Sequence, residues 1–418
     1  MKHVKRLGFL LIFLLCGMGF RYLLVDDTES YTRLMMHEFY RQDNIDVLFI
    51  GSSHCYISLD PRITDEIFQA DTFNAGSALQ AQDATFALIR EAVERYQVKQ
   101  IFMEMYYLMM NNVNYKDRKY LTETYIISDY MRPSVNKVRF LLNASSPKYY
   151  INSFIPPRRN WEALLHPADV IDIVKKKQTA EYRGYLPVNG YQGKGFAVNS
   201  GEIKNGLLLD TAGFDRIRPE SASEDCLRTM NDIISYCDKK GIRLTLFSAP
   251  MSLFQTAGVG NYDDYIAMIN EMIEGTNVRY VDFNICRETY FDQFPDLFSD
   301  AGHLNEAGAE KFSRLFADYF TGKIPDEELF YDSMAEKIAA HGPDLLGLSY
   351  LDSGDEMRKL KIVSTMPAGT LYDAEIIHAD GTRRMLMEQS DDIFFEIPQD
   401  ERGTVRITAG GMTVEIEE

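Results

Sequence analysis

Three short motifs hold residue types that together can run acyl chemistry. Gly51-Ser52-Ser53-His54 follows the apolar run Asp46-Val47-Leu48-Phe49-Ile50, so a serine hydroxyl sits where a strand gives way to a tight turn. Serine is a weak nucleophile until a base takes its proton, and the N–H groups of such a turn can face a developing oxyanion. Asn74-Ala75-Gly76 ends a second short run, where a glycine lets the backbone approach closely and offer its own N–H. Asp300-Ala301-Gly302-His303-Leu304-Asn305 places a carboxylate just ahead of an imidazole. Within one turn that carboxylate can meet the ring nitrogen opposite the serine. Each motif alone is weak: Gly-Ser-Ser occurs by chance, and Asp-x-x-His before a helix can be a cap.

The elements that must position these residues alternate along the chain. Asp46–Ile50, Asp71–Gly76, Val98–Met105, Ile242–Ser248 and Val278–Phe283 read as strands. Ala81–Tyr96, Cys226–Lys240, Tyr262–Glu274 and Glu306–Phe320 carry apolar residues at helical spacing. This alternation predicts an α/β fold with a parallel sheet covered on both faces. Ligands then sit beyond the carboxyl ends of the strands, where the first two motifs fall; the third stands just before the last helix. Between about 106 and 220 the alternation breaks down into a Tyr- and Asn-rich stretch with Pro156-Pro157 and the only tryptophan, Trp161. This insertion after the third strand reads either as a lid or substrate wall, or as a helical subdomain that adds stability. From Leu360 onward, short alternating runs between turn residues predict a small antiparallel β module.

Together, in this order, the three motifs resemble the SGNH (GDSL-like) hydrolase family over roughly Asp46–Tyr107 and Arg243–Phe320. The resemblance implies a flavodoxin-like three-layer sandwich. It implies Ser53 as nucleophile, the Ser53 and Gly76 amides as oxyanion hole, His303 as base and Asp300 as its orienting partner. Two departures stand out. Ser52 occupies the position where the family has aspartate, a variant similar to membrane-anchored D-alanine transfer and alginate O-acetylation proteins. The family's Gly-x-Asn-Asp block is absent after strand three, where Met103-Glu104-Met105-Tyr106 stands. Asn111, Asn112 or Asn114 can stand in for its asparagine, or can simply belong to a polar loop.

Other residues near the motifs compete for roles. His54, Asn74, Glu104 and Asn305 are candidate substrate contacts; packing beside the site is the alternative for His54, and capping a turn for Glu104. Cys55 next to His54 offers a cysteine nucleophile, but adjacent side chains rarely point at each other. No His/Asp/Glu cluster has metal-ligand spacing, and no cofactor is expected. Gly258-Val259-Gly260 follows no strand and is not a dinucleotide loop.

Composition bounds the remaining possibilities. The 418 residues are 45% hydrophobic and 25% charged, the balance of a folded protein, and the net charge of −18 excludes a general nucleic-acid binder. From Pro325 onward there are 21 acidic and 8 basic residues. The five cysteines form no CxxC pair, which argues against a zinc ribbon or a dense disulfide framework. Lys2, Lys5 and Arg6 precede the apolar run Leu7–Phe20, and Arg21 then interrupts it before Tyr22-Leu23-Leu24-Val25. That pattern predicts an uncleaved signal anchor over residues 1–25, single-pass, with the body outside the cytoplasm and Arg21 snorkelling to the head groups. A cleaved signal peptide is the rival, but no Ala-x-Ala site is present. The expected organisation is thus anchor 1–25, α/β body 26–324, and acidic linker with β module 325–418.

Two functions are expected from these readings. The first is a membrane-anchored serine esterase or O-acyltransferase acting on O-acyl groups of a cell-wall polymer or exopolysaccharide. The resemblance suggests a membrane-bound O-acyltransferase as partner. The second is a non-catalytic surface protein that binds polysaccharide or such a partner on the same scaffold. Tyr372, Phe394 and Phe395 in the tail module are either carbohydrate-stacking residues or its core.

Overall fold

The computed structural model describes residues 2–110, 121–201, 209–210, 223–293, 295–353 and 356–417. The first helix, α1 (Lys2–Leu24), stands off the body, with side chains exposed along most of its length until Leu24 and Val25 are buried. Its segment Val4–Leu24 is long and apolar enough to cross a membrane. The Arg21 guanidinium donates to the Asp129 carbonyl at 2.9 Å, where the last turn of α1 lies against the body.

The body is a doubly covered sheet. Strands β1 (Val47–Ile50), β2 (Thr72–Asn74), β3 (Gln100–Glu104), β4 (Arg243–Ser248) and β5 (Arg279–Asp282) pair in parallel in the order β2-β1-β3-β4-β5. Every residue of β1, β2 and β3 is buried, as expected where helices cover both faces. Short α3 (Ser53–Tyr56) follows β1 directly, and α4 (Pro61–Phe68) leads back to β2. One face packs against α2 (Tyr31–Phe39) and α5 (Gln82–Arg95).

Between β3 and β4 the insertion forms α6 (Val135–Ala144), α7 (Tyr150–Phe154), α8 (Pro156–Arg159), a 3₁₀ turn over Trp161–Leu165, and α9 (Pro167–Lys177). Asn136 of α6 donates to the Ala87 carbonyl of α5 at 2.8 Å, so this part braces the sheet-covering helix. A hairpin, Tyr191–Gly193 and Phe196–Ala197, docks beside β2, with Asn74 N–H donating to the Lys194 carbonyl at 3.0 Å. Gly195 has φ +83°, and a Cβ there would lie 1.6 Å from the Asn74 carbonyl oxygen, so only glycine permits this approach.

Helices α10 (Glu224–Lys240) and α11 (Tyr262–Ile273) complete the first face. The second face rests on α12 (Glu306–Phe320), which turns Phe312 and Phe316 into a phenylalanine cluster with Phe49, Phe102 and Phe247 of the sheet. Phe316 meets the Phe102 and Phe247 rings edge-on at 5.0 and 5.1 Å.

The tail builds a β-sandwich from β6 (Leu345–Ser353), β7 (Met357–Ser364), β8 (Tyr372–Ile377), β9 (Arg383–Ser390), β10 (Phe394–Pro398), β11 (Thr404–Ala409) and β12 (Met412–Glu417). One sheet runs β10-β7-β6 with Leu209–Asp210 of the insertion added in parallel; the other runs β9-β8-β11-β12. Tyr372 and Phe395 are buried in its core, so they are packing residues. The stretch after Pro325 is not a free linker. Leu329 and Met334 are buried, the Leu329 carbonyl accepts the Arg287 N–H at 2.8 Å, and Lys337 donates to the Cys286 carbonyl at 2.6 Å.

Candidate active site

The turn after β1 is built around a buried carboxylate. Gly51 takes φ +153°, and a Cβ on it would fall 2.6 Å from the Glu104 Cβ. Ser52 follows in extended conformation and caps α3, its hydroxyl accepting the His54 N–H at 3.2 Å. Glu104 Oε2 accepts both the Ser52 N–H, at 2.8 Å, and the Ser52 hydroxyl, at 2.7 Å. Burial pushes the Glu104 carboxyl up to about 7, against the downward pull of the two Ser52 bonds and of His303. Glu104 is therefore no substrate contact: it ends β3 pointing inward, under the turn. A serine suits position 52, since a carboxylate there would stand against that of Glu104.

Held this way, Ser53 starts α3 with its Oγ 2.8 Å from His303 Nε2. His303 Nδ1 lies 2.9 and 3.0 Å from the two Asp300 oxygens. Asp300 Oδ1 also accepts the N–H groups of Gly302 and His303, both at 2.9 Å, which fixes the carboxylate within one turn. Partial burial raises the Asp300 carboxyl, but the hydrogen bond and charge of His303 and the two amides outweigh it and hold it below the usual range. With Nδ1–H donating to the Asp300 carboxylate, the Nε2 lone pair faces the serine. The His303 and Asp300 side chains are 26% and 44% exposed. Ser53, His303 and Asp300 are thus brought together.

Asn74, Gly76, Asn305 and Cys55 are engaged elsewhere. Asn74 is buried and fully engaged: its amide donates to the Cys55 and Leu59 carbonyls at 3.0 Å, and its Oδ1 accepts the Gly76 N–H at 3.0 Å. The Gly76 N–H therefore points into an Asn74 turn and not toward Ser53 Oγ. The Ser53 N–H has no hydrogen-bond partner among the described residues. Asn305 caps α12 by accepting the Gly308 N–H at 2.9 Å and donates to the Asp296 carbonyl, which removes it from the site. The Cys55 thiol lies against Asn74 Oδ1, and burial pushes its pKa far up, so it is inert. Asn111, Asn112 and Asn114 lie outside the described residues.

His54 has a role that the sequence left open. Its buried ring stacks on His303, centroids 4.5 Å apart and planes 17° from parallel, while Tyr106 covers its other side at 4.1 Å. Burial, then repulsion from His303, pushes His54 well below the usual histidine range. It remains neutral and packs the back of the His303 ring. The sequence signal for this shelf was the His54 position one residue past the serine, together with Tyr106 at the end of strand three. The Glu104 contact had a fainter signal: a serine where an acid is usual calls for a carboxylate from elsewhere.

A parallel sheet of order β2-β1-β3-β4-β5, with Ser53 after β1 and Asp300–His303 before the last helix of the body, is the order of elements and motifs expected from the sequence. No family model and no curated protein matches the sequence. Among solved structures, a Desulfitobacterium hafniense protein assigned to the G-D-S-L lipolytic family is 9% identical, with TM-score 0.30 over 66% of this chain and 98% of its own. A Bacteroides fragilis protein assigned as an acylhydrolase is 7% identical, with TM-score 0.31 over 69% of this chain and 94% of its own. A two-domain esterase active on acetylated mannans is 10% identical, with TM-score 0.30 over 92% of this chain and 94% of its own.

Proposed function

We propose that this chain is a membrane-anchored, extracytoplasmic serine enzyme that transfers or hydrolyses O-acyl groups on a cell-wall polymer or exopolysaccharide. The observation that carries the reading is the unbroken chain Ser53 Oγ–His303 Nε2 at 2.8 Å and His303 Nδ1–Asp300 Oδ1 at 2.9 Å. In this reading His303 takes the Ser53 proton as Oγ attacks the ester carbonyl, and Asp300 stabilises the imidazolium. The Ser53 N–H faces the oxyanion; Gly76 joins it once its N–H turns from Asn74. His303 returns the proton to the departing alcohol. Water or a sugar hydroxyl, deprotonated by the same histidine, then resolves the acyl-serine. The partly exposed triad suits a polymer acceptor, and α1 with Lys2, Lys5 and Arg6 at its start suits anchoring with the body outside. A membrane-bound O-acyltransferase would be the natural acyl donor.

A fluorophosphonate probe tests this. Ser53 should carry the adduct, seen by mass spectrometry, and His303→Ala should abolish labelling. The second reading, a non-catalytic polysaccharide-binding protein, is favoured by the engaged Gly76 N–H, which leaves a single oxyanion donor among the described residues. Absence of any Ser53 adduct on folded protein would establish that reading instead.

A further inference from the structure

The insertion carries an apolar face where α1 leaves the body. Ile151, Ile155, Trp161, Leu164, Leu165 and Ile171 are 45–65% exposed, in α7, the α7–α8 junction, the 3₁₀ turn and α9. Large apolar side chains rarely cluster in water without a partner. The same elements grip the end of α1. Lys177 at the end of α9 donates to the Tyr22 carbonyl at 3.1 Å, pairs with Asp27 at 3.0 Å, and also reaches the Val25 carbonyl. The clamp is cationic against the carbonyl end of the helix, where the helix dipole favours it. Face and anchor are therefore one rigid unit at the level where a spanning helix would meet the head groups.

Two further observations say what covers the face. Around this face Lys148, Arg158, Lys175, Lys176 and Arg183 stay exposed against four acidic residues in 147–183, while Arg159 and Lys177 are buried in ion pairs; in a chain of net charge −18 this region repels anionic lipid less than the rest of the chain does. The apolar span Leu7–Val25 is 19 residues, interrupted only by Arg21. At about 1.5 Å per residue it reaches about 28 Å, close to the roughly 30 Å hydrocarbon core. The last turn of that span is already held by the body, with Arg21 tied to the Asp129 carbonyl, so the elements that grip it sit at the outer edge of the core.

We propose that residues 151–171 form a second membrane contact, an interfacial platform seated in the anionic head-group layer roughly 5–10 Å deep. The proposal rests on reading α1 as membrane-spanning. It places the site near the bilayer. Tyr31, six residues beyond Val25, accepts the Ala78 N–H at 2.8 Å and stacks on Tyr56 of α3 at 4.5 Å. Those six residues reach at most roughly 20 Å. Ser53 thus works on acyl groups delivered at the membrane surface.

Trp161 is the only tryptophan in the chain, so its emission reports this face alone. The full chain would be reconstituted in vesicles of phosphatidylglycerol and phosphatidylcholine brominated in the upper acyl chain. The platform predicts that Trp161 loses most of its emission to the bromolipid and resists aqueous acrylamide. The double variant Ile155→Asp/Leu164→Asp should recover emission and shift it to the red, with Ser53 labelling retained as proof of folding. Carbonate extraction separates the two readings. A chain washed off the vesicles refutes the spanning helix and the platform with it. A chain that stays, with Trp161 unquenched by bromolipid, refutes the platform alone: acrylamide access would mean an aqueous face, and shielding from both quenchers would mean a protein cover.

Discussion

Replacing Glu104 with glutamine should stabilise the protein at alkaline pH and leave it unchanged in acid. The buried carboxyl has a folded value of about 7 against 4.5 for a free glutamate. Between these values the folded state keeps a proton that the unfolded chain has lost. Stability therefore falls as pH rises through this window and levels off above the folded value. At 1.36 kcal/mol per unit the gap corresponds to about 3 kcal/mol. Glutamine can accept both Ser52 bonds through its carbonyl without carrying charge, so the variant lacks this slope. Wild type and Glu104→Gln should coincide near pH 4.5, where both side chains are neutral, and separate steadily up to about pH 7. At about 2 cal/mol/K of unfolding entropy per residue, the variant should then melt about 3–5 °C higher. Circular dichroism melts of the full chain in detergent, across pH, read the gap directly. Contributions from other titrating groups cancel in the difference. A gap independent of pH, or a variant less stable above pH 7, would show that Glu104 is ionised throughout and needed as a charge under the Ser52 turn.

Three further outcomes are expected. On p-nitrophenyl acetate, Ser53→Ala and His303→Ala should each lower kcat on the order of 10⁶-fold and together little more, while Asp300→Asn should cost on the order of 10⁴-fold. Additive losses would mean that the three do not act as a unit. His54→Ala should lower kcat about 3–10-fold, the equivalent of one lost ring stack of about 0.5–1.5 kcal/mol, with KM unchanged. His54→Phe should restore it, and a phenylalanine variant as slow as the alanine one would mean that a ring nitrogen of His54 matters. Gly51→Ala combines a disfavoured φ with a contact 2.6 Å from Glu104 Cβ. It should destabilise the protein by about 3 kcal/mol or more, read as a lower Tm, and Glu104→Ala in the same chain should relieve part of the loss.

The sandwich module shows how far local pattern carries. Runs such as Tyr372–Ile377 and Thr404–Ala409 alternate buried and half-buried residues, so their strands were readable. Leu345–Ser353 and Arg383–Ser390 were missed, because neither alternates cleanly. Leu209–Asp210 pairs across the chain with Ser349 and Tyr350, a contact with no local signature.

At the site the division is similar. The sequence by itself determined the parallel sheet, the two motifs at its carboxyl edge and the third before the last helix, since burial period, turn glycines and the Asp-x-x-His spacing are short-range properties. It also determined an apolar N-terminal helix of spanning length. Only the tertiary structure decided which polar groups were already spent. Asn74, Asn305 and Glu104 are residue types that bind substrates as readily as backbone, and a sequence does not say where their hydrogen bonds go. Each turned out to satisfy a buried N–H, hydroxyl or carbonyl of the frame. Burial makes such partners obligatory, and burial is a property of the packed chain.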